Sequence, residues 1–420
     1  FPSVIAATLV VPLIWAFGRR LARSKSVPPP TAFWAALLAA LNPFYLWFGQ
    51  ETRMYAQVCL LVLLISYMLL RWAFSATAAV RRRWLAGYGL ALFLLLASHY
   101  FALLILPAQA LVVLVTLRRR HRLLALLATA GLIALALAPG SIALWLLARD
   151  QAAGSKWARI APAVLLPDLV NAFSLGLSVN LAQVWPLDVL YAALALLGVF
   201  HGLARWRRAA APSGWLLPSL LIVPPALLLL ITTLRPAYMT ARHMSLVSAF
   251  FILLAAAGLA RIWQARRWAA VLLAAVLAAA SGYSTVRYFV LPEYGKGEHV
   301  EMGRYLAERV QEGDLILFRP LPWGRLFRYY FPTDALGQAE LAGRRVSWRV
   351  LPTDLPEKPP PPAPAAPASP QVTAASALDR LVLGVFGTQG WYECPLPPSP
   401  VANRPAELAR PLFLPSRDAL

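Results

Sequence analysis

The chain has 420 residues, 60% of them hydrophobic, with a mean hydropathy of +0.61 and a formal charge of +21. So large an apolar fraction, delivered in runs long enough to cross a bilayer, excludes an ordinary soluble domain. The charge does not point to nucleic acid either: from Glu293 onward acids and bases number fourteen each, so the whole excess sits in the apolar part.

That excess is arranged. The clusters Arg19/Arg20/Arg23/Lys25, Arg81/Arg82/Arg83, Arg118/Arg119/Arg120/Arg122, Arg205/Arg207/Arg208 and Arg261/Arg266/Arg267 recur after every second apolar run. Loops on the cytoplasmic side retain Lys and Arg, so the alternation reads as membrane topology. With the clusters inside, the sequence predicts ten spans of about 16 to 22 residues. In chain order they run 1–17, 31–48, 55–73, 84–98, 101–117, 123–145, 187–203, 214–233, 244–260 and 269–289. The stretch from 84 to 117 is broken only by "SHY" and has arginines at both ends. Two short spans keep both clusters inside, whereas one long span would not.

The segments facing away from the cytoplasm are then "GQETRM", "SHY", residues 146–186, "LRPAYMTARH" and the tail. The four acids of the apolar part, Glu51, Asp150, Asp168 and Asp188, fall on or near that side, with His99, Arg53 and Arg242. The chain opens at Phe1 on an apolar run without a basic leader, which reads as a chain that begins late.

The predicted domains are 1–289, an all-α polytopic membrane domain, and 290–420, a small periplasmic α/β domain. In the tail "HVEMGRYLAERVQEGDLILFRP" predicts an amphipathic helix, a turn at Gly313 and a strand from Leu315 to Phe318. "RRVSWRVLP" and "DRLVLGVFG" read as further strands. Between them a Pro/Ala-rich insertion at about 352–370 has no means of packing a core. Cys59 and Cys394 imply no disulfide framework.

The polar candidates are few. If "QETRMY" opens a helix, Gln50 and Arg53 share one face and Glu51 and Tyr55 another. Glu51 and Arg53, two apart, then do not neutralise each other, so each needs a partner elsewhere or a ligand. The plainer alternative is an interfacial loop whose charges snorkel to water. Arg242 heads a span on the side where arginine is disfavoured, although it too has the reach to snorkel. His99 and Tyr100 read equally well as interfacial anchors. Two guanidinium groups, an imidazole, a carboxylate and tyrosines at one membrane depth suit an anionic, lipid-borne substrate, because guanidinium binds phosphate through a planar fork. No cluster has metal-ligand spacing, no cofactor motif occurs, and no serine nucleophile elbow is present.

The stretches "ALNPFYLWFGQETRMYAQ", "SHYFALLILPAQALVVL" and "RPAYMTARHMSLVSAFFILLAAAGLA" together resemble the bacterial glycosyltransferase 39/83 group. These are polytopic GT-C enzymes related to protein O-mannosyltransferases and to lipid A aminoarabinose or lipopolysaccharide-core transferases. The resemblance covers most of residues 1 to 318. It implies inverting transfer of a sugar from a polyprenyl-phosphate donor to an acceptor hydroxyl, on a glycolipid or protein, at the periplasmic face of the bacterial inner membrane. It implies substrate-binding roles for Gln50, Glu51, Arg53, Tyr55, His99, Tyr100 and Arg242, with no metal and no cofactor. The group's tyrosine beside the later arginine is His243 here. Its general base, an aspartate in the first outer loop, would lie upstream of Phe1, so no catalytic residue is assigned. A transporter or flippase of a lipid-linked anion is the rival reading; it predicts paired breaks in matching helices, which Pro43, Pro107, Pro139 and Pro224 do not supply. A membrane scaffold with a partner-binding tail would leave the outer arginines unexplained.

Overall fold

In the computed structural model the described residues are 2–75, 77–116, 162–207, 214–234, 241–291, 294, 305–318, 338–341 and 343–350. Contacts divide the chain after Gly295 into two units, Phe1–Gly295 and Lys296–Leu420.

The first unit is a helical bundle. Its helices are α1 (Pro2–Arg23), α2 (Thr31–Ala40), α3 (Pro43–Gly49), α4 (Tyr55–Ala73), α5 (Ala78–Ser98) and α6 (Ile105–Thr116). Then come α7 (Pro162–Ser174), α8 (Leu181–Arg207), α9 (Leu216–Leu234), α10 (Ser248–Ala265) and α11 (Arg267–Val290). Two 3₁₀ turns, Tyr100–Leu104 and Ala241–Val247, lead into α6 and α10.

Six stretches are long and apolar enough to cross a membrane: α1, α4, α8, α9, the run Ala241–Ala265 and α11. A seventh is the pair α2–α3, bent by 51°. The ten expected spans are therefore not confirmed: among the described residues six helices, or seven with the bent pair counted as one, have the length and composition to cross. The single span 31–48 breaks because Asn42 caps a new helix, its Oδ1 accepting from Phe44 N at 2.9 Å, with Pro43 at the first helical position. The expected span 84–98 belongs to a helix whose first turns carry Arg81 to Arg83, and α6 has only 12 residues. The expected span 123–145 lies outside the described residues. Helix α8 starts at Leu181, ahead of the expected 187, carrying Pro186 inside it. The segment 146–186, expected on the outer side, holds helix α7.

Helix α10 is the axis of the bundle: every residue from Ser248 to Ala260 is buried. Small side chains make this possible. A Cβ placed on Gly198 of α8 would lie 2.1 Å from Leu254 O, and one on Gly258 of α10 would lie 2.0 Å from Leu194 O. Lipid tails are as apolar as leucine, so helices in a bilayer associate by such close backbone approach. The outside is apolar as well: Leu90, Phe200, Ile222, Trp268 and Phe289 are all exposed. That surface fits hydrocarbon, which a water-facing helix bundle would avoid. The bundle is a polytopic membrane domain.

Described members of the arginine clusters gather at one end. Arg205, at the end of α8, donates from Nε to Lys25 O at 3.1 Å, just beyond the end of α1. The opposite end holds the start of α1, where Ser3 Oγ donates to Arg53 O at 3.4 Å, and the last turn of α11.

In the second unit residues 305–309 are helical, and Gly313 turns the chain at a φ of 86°. Strand β1 (Leu315–Phe318) follows, then β2 (Gln338–Leu341) and β3 (Arg344–Val350) in the order β1-β3-β2. β1 runs parallel to β3 with Leu315 opposite Ser347, and β2 runs antiparallel with Leu341 opposite Arg344. The tight β2–β3 connection uses Gly343 at a φ of 75°, a backbone shape that glycine tolerates. Arg344 Nη1 donates to Val310 O at 2.6 Å, tying β3 to the end of the helical turn. The insertion at 352–370 and the strand expected in "DRLVLGVFG" lie outside the described residues.

Candidate functional site

The site grows from α3. Asn42 fixes this helix at both levels: its side chain caps Phe44 N, and its Nδ2 donates to Phe173 O of α7 at 2.8 Å. Gly176 closes the same joint with a φ of 79°, where a Cβ would stand 2.8 Å from Pro43 Cβ. With α3 held, Trp47 donates from Nε1 to Glu51 Oε1 at 3.0 Å.

The stretch "QETRM" does not open a helix, and this overturns the face-sharing geometry expected for Gln50 with Arg53 and Glu51 with Tyr55. It is the turn between α3 and α4, with Gln50 as the C-cap of α3 and Tyr55 as the first residue of α4. The turn sends its side chains apart. Gln50 Oε1 accepts from Tyr288 OH of α11 at 2.8 Å, and the Tyr288 ring lies 5.0 Å from that of Trp47. Glu51 is half-buried, and its Oε2 is buried without a hydrogen-bond partner among the described residues. Arg53 is exposed. No ion pair joins it to Glu51 among the described residues, and the structure does not carry its side chain into the cluster.

A second group forms around Tyr55. Its buried ring packs 5.1 Å from Phe48, 5.8 Å from His99 and 6.4 Å from His243. Phe101 completes the group, 5.5 Å from His99 and 5.2 Å from His243. His99 is buried, and its Nδ1 accepts from Phe101 N at 3.1 Å, capping the 3₁₀ turn. Burial, then the neighbouring His243, pushes its pKa down to about 4. Neutral and accepting at Nδ1, the imidazole carries its proton on Nε2 and is a donor there. Tyr100 begins the 3₁₀ turn, but its side chain lies outside the described residues.

The turn Ala241–Val247 carries half-buried Arg242 and His243 into the same region. It is seated by Cys59 Sγ, 3.4 Å from Ser245 O, and by the carboxylate of Asp168, which accepts from the backbone N–H of Ala241. Burial raises the Asp168 carboxyl above its ordinary range, and that hydrogen bond partly offsets the rise. Arg242 therefore sits on a turn fixed from α4 and from α7.

The structure thus brings together Tyr55, His99 and the turn bearing Arg242, while Gln50 and Glu51, on the turn before Tyr55, reach Tyr288 and Trp47. It adds residues that the sequence reading had not assigned. Trp47 stands four before Glu51, a spacing that would have exposed it. Tyr288 is 238 residues from its partner Gln50, with no local signal at all. Asp188, buried in α8, takes a hydrogen bond from Ser174 Oγ, while its Oδ2 and the nearby Asn171 Oδ1 have no hydrogen-bond partner among the described residues. An acid inside an apolar helix is the signal for that one. No group of three metal-ligating side chains forms among the described residues.

No family model and no curated protein matches the chain. Among solved structures the chain is similar to ArnT from Cupriavidus metallidurans in the apo state. The two are 12% identical, with a TM-score of 0.49, over 78% of this chain and 69% of that one.

Proposed function

We propose that the chain is an integral-membrane glycosyltransferase of the GT-C type. It moves a sugar, with inversion, from a polyprenyl-phosphate donor to an acceptor hydroxyl of a glycolipid or protein. The reaction takes place at the bundle end opposite the arginine clusters, which the positive-inside pattern makes periplasmic in a bacterial inner membrane. The observation that carries the reading is the meeting of Tyr55, His99 and the Arg242 turn, three segments distant in sequence, beside a half-buried Glu51 with one unbonded oxygen.

Transfer needs a charge partner for the departing phosphate and oriented polar groups for the acceptor. Arg242 supplies the charge. His99 Nε2–H donates to a phosphate or sugar oxygen, and Glu51 orients a hydroxyl through its free oxygen. Arg53, exposed at the rim, meets the donor phosphate from the headgroup side. The bent pair α2–α3, which leads straight into "QETRM", is the one observation favouring a transporter, since broken helices often line transport sites.

The test uses purified protein in nanodiscs with a panel of polyprenyl-phosphate sugars and a bacterial envelope extract as acceptor. Mass spectrometry follows donor consumption and release of the polyprenyl phosphate. Consumption by the wild type that is lost in Arg242→Ala is the expected result. Movement of a labelled donor across proteoliposomes without consumption would establish the transporter instead.

A further inference from the structure

The arginine-rich end of the bundle holds a cavity of about 340 Å³, lined by none of the candidate-site residues. It lies where α1 and α4 end and α5 begins. Three of its lining residues are Arg20, Arg23 and Arg71, and Ser75 and Thr77 add hydroxyls. We propose that this cavity is an anion site that holds a phosphate group, independent of the glycosyltransferase reading.

The plain alternative is a set of arginines reaching for water, as positive-inside residues do. The geometry argues otherwise. Arg71 is held in place: Nη1 donates to Tyr67 OH at 3.2 Å, and its guanidinium stands 4.6 Å from the Trp84 ring centroid. Arg20 lies 5.8 Å from the Phe74 ring, another wall of the cavity, and its Nε is buried without a hydrogen-bond partner among the described residues. Arg23 and Arg71 stand near enough to Arg20 to repel its charge. No described carboxylate forms an ion pair with any of the three. Convergent cations fixed by aromatic rings, with no acid between them, leave the folded state short of negative charge.

The backbone adds to the attraction. Thr77 caps α5, its Oγ1 accepting from Val80 N at 3.4 Å, and Val80 also lines the cavity. The positive end of a 21-residue helix therefore opens onto the three guanidinium groups. The volume sits near the lower end of the range for small-molecule sites, about 300–1,000 Å³, and suits a phosphate headgroup better than an extended ligand. Basic pockets between helices at a membrane surface take anionic headgroups by this chemistry. The phosphate belongs either to a phospholipid headgroup or to a soluble phosphate, and both offer the same oxygens to the fork of Arg71 and Arg20.

The experiment compares three proteins in nanodiscs: wild type, the double variant Arg20→Gln/Arg71→Gln, and Arg82→Gln/Arg83→Gln. The last removes two exposed charges from the same end that do not line the cavity. Nanodiscs are phosphatidylcholine alone or with phosphatidylglycerol and cardiolipin, and retained lipid is counted by native mass spectrometry. The cavity variant is expected to lose roughly tenfold or more in retention of anionic lipid, with little change in the control. If the source is soluble, inorganic phosphate in neutral nanodiscs raises the thermal midpoint of the wild type and the control but not of the cavity variant. Where the double variant fails to fold, Arg23→Gln, exposed at the rim, replaces it and is expected to show a smaller loss of the same kind. Equal lipid retention and equal phosphate response in cavity variant and control would overturn the site.

Discussion

At the scale of single residues, Arg242 and Arg53 separate two kinds of arginine that look alike in sequence. Arg242 rides on a turn fixed by Asp168 and by Cys59, whereas the Arg53 side chain stands exposed and Ser3 Oγ reaches its backbone carbonyl. Arg242→Ala should therefore lower transfer by about ten- to a hundredfold, the worth of a charge-assisted hydrogen bond of roughly 1.5–3 kcal/mol. Arg53→Ala should mainly raise the KM for donor, and Arg53→Lys should recover part of that loss because the charge remains and the fork does not. Steady-state kinetics at several donor concentrations distinguish these outcomes. His99 gives a pH signature. Its pKa is about 4 in the folded protein against an ordinary 6.5, so between those values the unfolded chain binds the extra proton. The stability contributed by the neutral imidazole is complete above pH 6.5 and is lost as the pH falls toward 4. His99→Asn keeps a capping acceptor without titrating, so its thermal midpoint should fall less than that of the wild type between pH 7 and pH 5. A matching fall in both proteins would show that His99 is not buried as a neutral group.

Among elements, the α8–α10 crossing decides whether the bundle forms. A side chain at Gly198 or Gly258 meets a backbone carbonyl, which has no rotamer to move into. Gly198→Val or Gly258→Val should cost about 3 kcal/mol or more, at the upper end of overpacking penalties, because two helices must separate. Gly282 of α11 is the control: a Cβ there meets nothing within 4 Å, so Gly282→Ala should be neutral or gain about 0.5–1 kcal/mol of helix propensity. Unfolding in detergent, followed by circular dichroism, separates the two cases. The Tyr288–Gln50 hydrogen bond is a smaller joint between α11 and the turn after α3. Tyr288→Phe keeps the ring against Trp47 and should lose about 1 kcal/mol, with a loss of transfer only if Gln50 needs that anchor.

For the whole molecule, the arrangement to test is the sidedness of the membrane. The positive-inside rule predicts that the chain beyond α11 is periplasmic, and labelling tests that prediction directly. Single cysteines introduced after Tyr288 should react with an impermeant thiol reagent on intact inner membrane oriented as in the cell, and those beside Arg82 only after permeabilisation. The reverse pattern would move the proposed site to the cytoplasm and end the lipid-linked donor reading.

The sequence alone determined that the chain is polytopic, where most of its helices run and which end carries the cations, because hydropathy and arginine counts depend on composition within a window and not on neighbours. It also placed β1 to the residue, since a glycine turn before an apolar run is a local signal. It set Glu51, Arg53, Tyr55, His99, Tyr100 and Arg242 at one membrane depth, and of these the structure gathers Tyr55, His99 and the turn of Arg242. What it could not supply was contact. The break at Asn42 is paired with Phe173 across 131 residues, and the partner of Gln50 lies 238 residues away. The turn at "QETRM" defeats the helical face on which Arg53 was placed. Whether a polar side chain points into a cluster or out to solvent depends on which helix stands opposite, and that follows from close packing at Gly198 and Gly258, where the absence of a side chain gives no local clue to its partner.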